Sequence, residues 1–511
     1  MQIIDNKALL LKLRDPNPVL QTIPDSKAIN DNDVLVKWDV PQVHRLRSYG
    51  ISAPSPIEGR YDWPGKYAPY DHQRKTAAFL TNHKRAFCFN EQGTGKTGSA
   101  IWAADFLMTR GLIKRALVVC PVSIMDSAWR ADLFTFAMHR TVDMAYGTAA
   151  KRKKIIEGGA EFIIINYDGV QIVEDEIRNG GFDLIVVDEA SHYKNAQTKR
   201  WKCLNRLVTD DTWLWMMTGT PAAQSPVDAF GIAKLVNPKN VPRYFSSFRD
   251  MVMMKHGPFK WVPRHNAVET VHQVLQPAIR FTKDECLDLP DLVYTKRRVE
   301  LTPQQKLYYN KLQKEMLFEA SDEEVTAINA AVKANKLLQI AGGAVYTDEG
   351  NTLEFDIKNR YSVLREVIDE TSNKVLVFVP FTHTISVLAD KLSQDKITNE
   401  VISGSVSPAN RAKIFSDFQT KPDPRVLVIQ PQAAAHGVTL TAADTIVWWG
   451  PTASLETYAQ ANARIHRAGQ KHKCTVVQLA GAGIEHRIYQ LLDQKIDVHS
   501  QIVDLYNDLL D

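Results

Sequence analysis

The most regular feature of the chain is a repeated pattern of a short apolar run, a turn rich in Gly, Ser or Thr, and a helical stretch. The apolar runs are continuous rather than alternating, which is typical of parallel strands buried on both faces of a sheet. Between residues 86 and 217 these runs are Ala86–Phe89, Ala116–Cys120, Phe162–Asn166, Leu184–Asp188 and Leu214–Met217. They predict a first parallel sheet.

A second series of similar runs occupies the last third of the chain. Its members are Val375–Val379, Val401–Ile402, Val426–Ile429, Thr445–Trp449 and Thr475–Leu479. The predicted fold class is therefore α/β, with two tandem parallel-sheet lobes.

The other segments complete the predicted domain organisation. Residues 1–60 form a small N-terminal α+β segment with strand-like runs at Leu9–Leu13 and Val34–Trp38 and a helix from Pro41 to Tyr49. The first lobe spans residues 61–290, with a helical insertion at 222–290. The second spans 291–511, with a helical insertion at 303–345 and a helical tail.

Composition agrees with this organisation and narrows the class of protein. A chain of 511 residues, at about 150 residues per domain, suggests about three domains. The 44% of hydrophobic residues excludes a disordered or collagen-like chain. A net charge of +4 argues against a static DNA coat but leaves a local basic groove possible. The five cysteines form no CxxC pair, so we expect reduced core thiols.

The segment from Ala86 to Thr97 predicts a phosphate-binding loop, with the sequence AFCFNEQGTGKT. Gly93 and Gly95 allow a tight turn whose N–H groups point at phosphate oxygens, and the following helix adds its positive dipole end. Lys96 would reach the β- and γ-phosphates, and Thr97 would bind Mg²⁺. The strict pattern GxxxxGK[ST] has Gly where this chain has Asn90.

A pair of acidic residues, Asp188 and Glu189, stands at the end of a predicted buried strand. Ligands of open α/β sheets bind at the carboxyl ends of the strands. Asp188 can hold Mg²⁺ through water, and Glu189 can orient and deprotonate an attacking water. Together with the phosphate loop, the pair predicts an ATP-hydrolysing site.

At this point the sequence resembles superfamily 2 helicases, and among them the Swi/Snf-type DNA translocases, over residues 67–495. The resemblance rests on motifs that occur in the family's order: Tyr70–Gln73, Val118–Ser123 with Trp129, Asp188–His192, Thr218–Pro221, Val377–Phe381, Ser403–Ser405 with Arg411, Leu440–Ala443 and Gln460–Gln470. The last of these is similar to the family's Q-A-x-x-R-x-x-R-x-G-Q. The resemblance implies that both lobes are RecA-like.

The resemblance also implies roles for individual residues, with ATP and Mg²⁺ as cofactors. ATP would be bound by Gln73, Gln92, Gly93, Thr94, Gly95, Lys96, Thr97 and Gly437. Catalysis would involve Lys96, Asp188, Glu189, Gln460, Arg464 and Arg467, and Mg²⁺ would be held by Thr97 and Asp188. Nucleic acid would be contacted by Ser123, Thr382, Ser405 and Thr441, and coupled to ATP through His192, Thr218 and Thr220.

Arg464 and Arg467 are three residues apart, so on a helix they would share one face. Guanidinium groups match phosphate geometry bidentately. The resemblance implies that one or both reach the γ-phosphate of ATP held by the first lobe. Such an arginine finger can raise the rate by about 10³–10⁵.

Two features depart from this picture or compete with it. The family has glycines at the positions of Ala434 and Ala435 and an asparagine at that of Thr439, which makes the loop before Leu440 stiffer. Lys151–Lys154 is strongly basic but lies in a predicted helix. We interpret it as a solvated helix face, with a nucleic-acid patch as the alternative.

Three functions are compatible with the motifs. The first is an ATP-hydrolysing translocase that steps along double-stranded or forked DNA without sequence preference, since backbone contacts carry no base code. The second is a strand-separating or annealing helicase that acts on forks, D-loops or RNA-containing structures. The third is an inactive nucleic-acid clamp, against which the intact Lys96, Glu189, Arg464 and Arg467 argue.

The expected setting follows from the same features. No signal peptide or membrane-length apolar run is visible, so we expect a soluble intracellular protein without a membrane partner. Its compact size favours a bacterial or infected-cell cytoplasm over a nucleus. We expect a monomer whose partners, besides DNA, belong to replication, recombination or repair.

Overall fold

The computed structural model describes residues 1–219, 221–222, 225–256, 261–286, 289–322, 327–346, 352–433 and 438–494. The chain forms two compact units, one from Met1–Ala222 and Pro226–Cys286 and the other mainly from Leu287–Asp511. Each unit is built around its own parallel sheet. The Thr220 and Gly437 predictions and the tail beyond residue 494 lie outside the described residues.

The sheet of the first unit has seven strands, all parallel. In spatial order they are Ala278–Ile279, Arg85–Cys88, Trp213–Met217, Leu184–Asp188, Ala116–Cys120, Phe162–Asn166 and Val142–Ala145. The five predicted strands are the inner ones, and their bounds agree to within one residue. Sequence reasoning missed the two outermost strands, because a short, half-buried edge strand lacks a continuous apolar run.

Helices cover both faces of this sheet. Outside the insertion the helical segments, including short 3₁₀ and π turns, are Ile57–Arg60, Asp71–Thr81, Lys96–Thr109, Val122–Ile124, Met125–Arg130, Ala131–Phe136, Ala149–Glu157, Tyr167–Ile172, Glu174–Asn179, Ala190–Tyr193 and Lys199–Leu207. Alternate residues of each inner strand contribute to two separate buried clusters, one on each face.

Four of the five cysteines, Cys88, Cys120, Cys203 and Cys474, are buried, as predicted for core thiols.

The N-terminal segment is a four-stranded antiparallel sheet with helices. Its strands, in spatial order, are Gln2–Ile4, Ala8–Lys12, Asp33–Lys37 and Ser26–Ala28, and its helices are Asn17–Thr22 and Val40–Ser48. Alternation of buried and exposed residues in the two central strands gives it a small core of its own. The predicted α+β character is confirmed. The two short outer strands, Gln2–Ile4 and Ser26–Ala28, were not predicted from the sequence.

The insertion of the first unit is helical, as expected, but also contains a β-hairpin. Its helical segments are Pro226–Asp228, Ala229–Val236, Pro238–Asn240, Phe245–Val252, Ala267–Val274 and Lys283–Cys286. The antiparallel strands Met253–Lys255 and Trp261–Pro263 form the hairpin. The hairpin follows the helix Phe245–Val252 directly.

The second unit has a six-stranded sheet, again all parallel. In spatial order its strands are Leu292–Arg298, Cys474–Ala480, Ala443–Trp448, Lys374–Phe378, Val426–Ile429 and Asn399–Ile402. Its helical segments are Pro303–Asp322, Ala327–Gly342, Lys358–Glu370, Thr382–Gln394, Pro408–Thr420, Pro431–Ala433, Leu455–Asn462 and Gly483–Asp493, and a small hairpin joins Ala344–Tyr346 to Thr352–Glu354. The half-exposed edge strand Leu292–Arg298 is the strand that the apolar pattern missed.

These two parallel sheets confirm the predicted α/β class with two tandem lobes. Among the helices of the described ranges, none combines the length and the apolar character that crossing a bilayer requires.

Candidate functional site

The phosphate loop joins the strand Arg85–Cys88 to the helix Lys96–Thr109. Both glycines of the loop are left-handed, with φ of +89° at Gly93 and +80° at Gly95. A Cβ at Gly95 would lie 1.9 Å from Nε2 of Gln73 and would displace that amide, and the left-handed φ by itself favours glycine at this position. The Lys96 ammonium donates to the main-chain oxygens of Asn90 at 2.7 Å and Glu91 at 3.2 Å, which places it inside the loop.

Strand register brings the other motifs of this unit to the same level of the sheet. Met217 is paired with Cys88 on one side and with Asp188 on the other. Thr218 follows Met217 and donates its N–H to the Cys88 oxygen at 3.1 Å. The phosphate loop, the acidic pair and Thr218 therefore leave three adjacent strands at one edge, where α/β sheets bind ligands.

The Asp188 carboxylate is buried and held by two donors. Its Oδ2 accepts from Trp129 Nε1 at 2.9 Å, and its Oδ1 accepts from the N–H of Glu189 at 3.0 Å. Burial raises the pKa of Asp188, against the lowering effects of the Lys96 charge and of these two hydrogen bonds.

Trp129 thus has a different place from the one its motif suggested. The resemblance grouped it with a DNA-contacting motif, but its side chain is 1% exposed and bonded to Asp188. The π-helical turn Met125–Arg130 contains it, and such turns are frequent at functional sites. Sequence reasoning missed this contact because 59 positions separate the two residues.

Tyr167 connects the acidic pair to His192. Its hydroxyl donates to the main-chain oxygen of Asp188 at 2.6 Å, and its ring centre lies 4.7 Å from that of His192. Burial lowers the pKa of His192, which favours the neutral ring. Glu189 has φ of +51°, an uncommon value for a non-glycine residue that turns the chain sharply after the strand. Nothing in the sequence singled out Tyr167.

Two glutamines border the loop. Gln73 lies against Gly95, and its Oε1 accepts from the N–H of Tyr70 at 2.9 Å. Gln92 lies against Gly219, where a Cβ would meet its amide at 2.7 Å. Among the described residues, the Nε2 of Gln92 is a buried donor without a hydrogen-bond partner. An unused donor beside the phosphate loop is what an anionic ligand would engage.

Asn90 occupies the position where the strict motif has glycine, and its side chain has a defined function in the fold. Its Nδ2 donates to Thr76 Oγ1 at 2.8 Å, and its Oδ1 accepts from the N–H of Phe281 at 3.0 Å. The loop is thereby tied to the helix that carries Gln73 and to the last segment of the first unit. Thr94 is buried within the same loop, and Thr97 is half-buried in the first turn of the helix.

The two arginines of the second unit do not lie on a helix, so that expectation is wrong. The helix Leu455–Asn462 ends before them, and both are in the following turn. They are nevertheless brought together, because NH1 of Arg464 and NH1 of Arg467 each donate to the oxygen of Val438 at 3.1 Å. Arg464 also donates from Nε to the Gln460 oxygen at 2.9 Å and is only 4% exposed.

The four residues predicted to contact nucleic acid do not all lie at the carboxyl ends of strands. Ser123 follows the strand Ala116–Cys120, and in the second unit Thr382 and Ser405 follow the carboxyl ends of two strands. Thr441 instead precedes the strand Ala443–Trp448, at the amino end of that sheet, where its hydroxyl accepts from Gln419 at 3.0 Å. The structure therefore does not bring Thr441 to the edge that carries Thr382 and Ser405.

Comparison with known families gives the class of the protein. Residues 72–342 match the SNF2-related domain, and residues 359–469 match the helicase conserved C-terminal domain. The first match alone covers more than half of the chain. The chain therefore belongs to the SNF2-related family of helicase-like ATPases, as the motifs predicted.

Individual relatives are distant. An uncharacterized ATP-dependent helicase of Mycoplasma genitalium is 25% identical over 80% of this chain and 39% of its own length. A putative protein p41 of Acyrthosiphon pisum secondary endosymbiont phage 1 is 23% identical over 78% of this chain and 88% of its own. The chain thus spans less than half of the bacterial relative and most of the phage relative.

Among solved structures, the SWI2/SNF2 ATPase core of Sulfolobus solfataricus in complex with dsDNA is similar. It is 22% identical, with a TM-score of 0.42, over 88% of this chain and 95% of the other.

Proposed function

We propose that this protein hydrolyses ATP with Mg²⁺ and uses the cycle to move along duplex or forked DNA. The observation that carries the proposal is the strand register of the first unit, which puts the phosphate loop, Asp188 and Thr218 at one level of one sheet edge. Family membership supports ATP as the nucleotide.

The residues of the loop fit a nucleotide and its metal. The left-handed Gly93 and Gly95 give the loop a tight turn whose N–H groups can bind phosphate oxygens, and the free donor of Gln92 is available to them. Lys96 would hold the β- and γ-phosphates. Thr97 and Asp188 offer the hydroxyl and carboxylate oxygens that Mg²⁺ prefers, and the ion would neutralise charge on the phosphates.

Glu189 and the two arginines would carry the hydrolytic step. Glu189 stands at a sharp turn directly after Asp188, where it would orient the attacking water and take its proton. Arg464 and Arg467, which share the Val438 oxygen, would stabilise the charge that develops on the γ-phosphate. Gln460 supports Arg464 through its main-chain oxygen.

DNA would be held by its backbone. Ser123, Thr382 and Ser405 provide hydroxyl groups near the carboxyl ends of strands, and hydroxyl–phosphate contacts carry no base information. We therefore expect affinity without sequence preference. His192, Tyr167 and Thr218 would link these contacts to the acidic pair.

The test is an ATPase titration with duplex, forked and single-stranded DNA and with RNA. We expect duplex or forked DNA to stimulate ATPase most strongly, and Lys96→Ala and Glu189→Gln each to abolish the stimulated rate while far-UV circular dichroism stays unchanged. Equal turnover in either variant would refute the assigned chemistry. Lys154→Ala, an exposed change on the helix Ala149–Glu157, is the control.

The product formed from each DNA substrate distinguishes a translocase from a helicase and from an annealing enzyme. A translocase displaces the third strand of a triplex without unwinding a blunt duplex, whereas a helicase separates a fork and an annealing enzyme rejoins it. We expect triplex displacement. The similarity to a bacterial and a phage protein supports the interior of a bacterial or infected cell as the place of action.

A further inference from the structure

Most of the insertion of the first unit, residues 226–276, is basic. Residues 226–276 contain seven Lys and Arg residues and three Asp and Glu residues, an excess of four. Since the whole chain also has a net charge of +4, the other 460 residues carry as many acidic as basic side chains. A basic module on an otherwise neutral protein is the electrostatic feature expected where a polyanion binds.

The hairpin of the insertion gathers part of this charge around an aromatic ring. Lys255 and Trp261 are directly opposite each other in the hairpin, so their side chains share a face. The guanidinium carbon of Arg249, on the preceding helix, lies 3.9 Å from the centre of the Trp261 ring. Lys255 is exposed, and Trp261 is half-buried. We call Arg249, Lys255 and Trp261 the hairpin cluster.

Neighbouring groups leave the cluster positively charged. Asp250 pairs with Arg249 at 3.0 Å, which offsets one cation. Arg264 donates from Nε to the main-chain oxygens of Asp250 and Met253 at 2.9 and 3.1 Å, which orients its exposed guanidinium beside the hairpin. Within the described part of the chain, no carboxylate forms an ion pair with Lys255 or Arg264.

We propose that the hairpin cluster and Arg264 bind the phosphate backbone of DNA, as a contact additional to those of the two lobes. The inference rests on the proposed DNA substrate. Lysine and arginine are the side chains that bind phosphates, and positively charged grooves with aromatic side chains are typical of nucleic-acid-binding surfaces. The contact adds salt-dependent affinity without base preference. The hairpin cluster and Arg264 lie outside the ATP site, so this contact increases the affinity for DNA and takes no part in ATP hydrolysis.

The test compares two double variants that remove the same charge. Lys255→Ala with Arg249→Gln removes the cations of the cluster. Lys151→Ala with Lys154→Ala removes two exposed cations from the helix Ala149–Glu157. Binding of a fluorescent DNA duplex is measured by anisotropy over a series of salt concentrations, and ATPase is measured without and with DNA.

We expect the cluster variant to bind DNA several-fold more weakly at moderate salt and to lose about 0.9–1.8 from the slope of log Kd against log salt, since each phosphate contact contributes about 0.9 and Asp250 offsets part of the Arg249 charge. Its ATPase rate without DNA should be unchanged, and the control variant should match the wild type. Equal slopes for cluster variant and wild type, or equal losses in both variants, would overturn the proposal.

Two further outcomes separate the proposal from its premise. A wild-type protein with neither DNA affinity nor DNA-stimulated ATPase would overturn the proposed function, and the DNA contact with it. If the cluster variant keeps its DNA affinity but loses binding to polyglutamate, the surface recognises an acidic protein, and the proposal fails while the motor function stands.

Discussion

At the scale of single residues, the acidity of Asp188 depends on a donor far away in sequence. Burial raises the pKa of this carboxyl, whereas the hydrogen bond from Trp129 lowers it. A protonated Asp188 could not hold a cation. The indole of Trp129 therefore favours the ionised form of the carboxylate.

Trp129→Phe keeps the ring and removes the donor, so the pKa of Asp188 should rise further. We expect the acid limb of the ATPase pH profile to move up by about one pH unit, as loss of a hydrogen bond to a charged group implies. Trp102→Phe is the matched control, since that buried indole donates to the Pro64 oxygen instead. Superimposable pH profiles for Trp129→Phe and wild type would contradict the argument.

The two arginines of the second unit differ in burial, although they share one carbonyl partner. Arg464 is 4% exposed and bridges Gln460 and Val438, while Arg467 is half-buried. Arg464→Ala should therefore lower the melting temperature as well as ATPase, because it removes a buried side chain and its hydrogen bond to the buried Gln460 oxygen. Arg467→Ala should lower kcat at least tenfold with little change in melting temperature. Thermal unfolding and steady-state kinetics on both variants distinguish these outcomes; equal thermal losses would contradict the distinction.

At the scale of elements, the helix Val40–Ser48 is joined to the first lobe through two histidines. The oxygen of Thr81 accepts from His44 Nε2 at 2.9 Å, and Arg47 donates to His83 Nε2 at 2.7 Å. Since a guanidinium can only donate, Nε2 of His83 carries no proton. Burial lowers the pKa of His83 to about 4 and lowers that of His44 as well.

This arrangement predicts that acid destabilises the fold. The unfolded chain protonates His83 near pH 6.5, but the folded chain does so only near pH 4. Between these values the unfolded state binds more protons, so the free energy of unfolding falls as the pH falls. Chemical denaturation from pH 7 to pH 4 should show a weaker decline for His83→Gln than for wild type. The exposed His486→Gln is the control, and a decline that His83→Gln leaves unchanged would refute the assignment.

The elements themselves were predictable to different degrees. Inner strands such as Ala116–Cys120 and Leu184–Asp188 are buried on both faces, so their residues form a continuous apolar run in the sequence. Edge strands such as Leu292–Arg298 have one side without a neighbour and alternate in burial, so they resemble loops in sequence. The hairpin in the insertion was not predicted either, because its strands have only three residues each and form no recognisable apolar run.

At the scale of the whole molecule, the two units have separate cores. Ile163 belongs to the core of the first unit and Ile446 to that of the second, and both side chains are fully buried. Ile446→Ala should cost about 2–5 kcal/mol, as for other buried Ile-to-Ala changes. Hydrogen exchange should accelerate in peptides from 290–494 and not in those from 67–286, with the reverse pattern for Ile163→Ala. Acceleration in both units from either variant would show a single cooperative core.

The sequence alone determined the family and the fold class and predicted the residues of the ATP motifs, because these depend on local patterns: apolar periodicity, glycine spacing and charged residues at strand ends. Only the tertiary structure decided that Trp129 donates a hydrogen bond to Asp188. It likewise decided that Asn90 bonds to Thr76 and Phe281. Arg464 and Arg467 both donate to the Val438 oxygen from a turn and not from a helix. Each of these contacts joins residues distant in sequence. A hydrogen bond between them is set by strand register and packing, which no local pattern encodes.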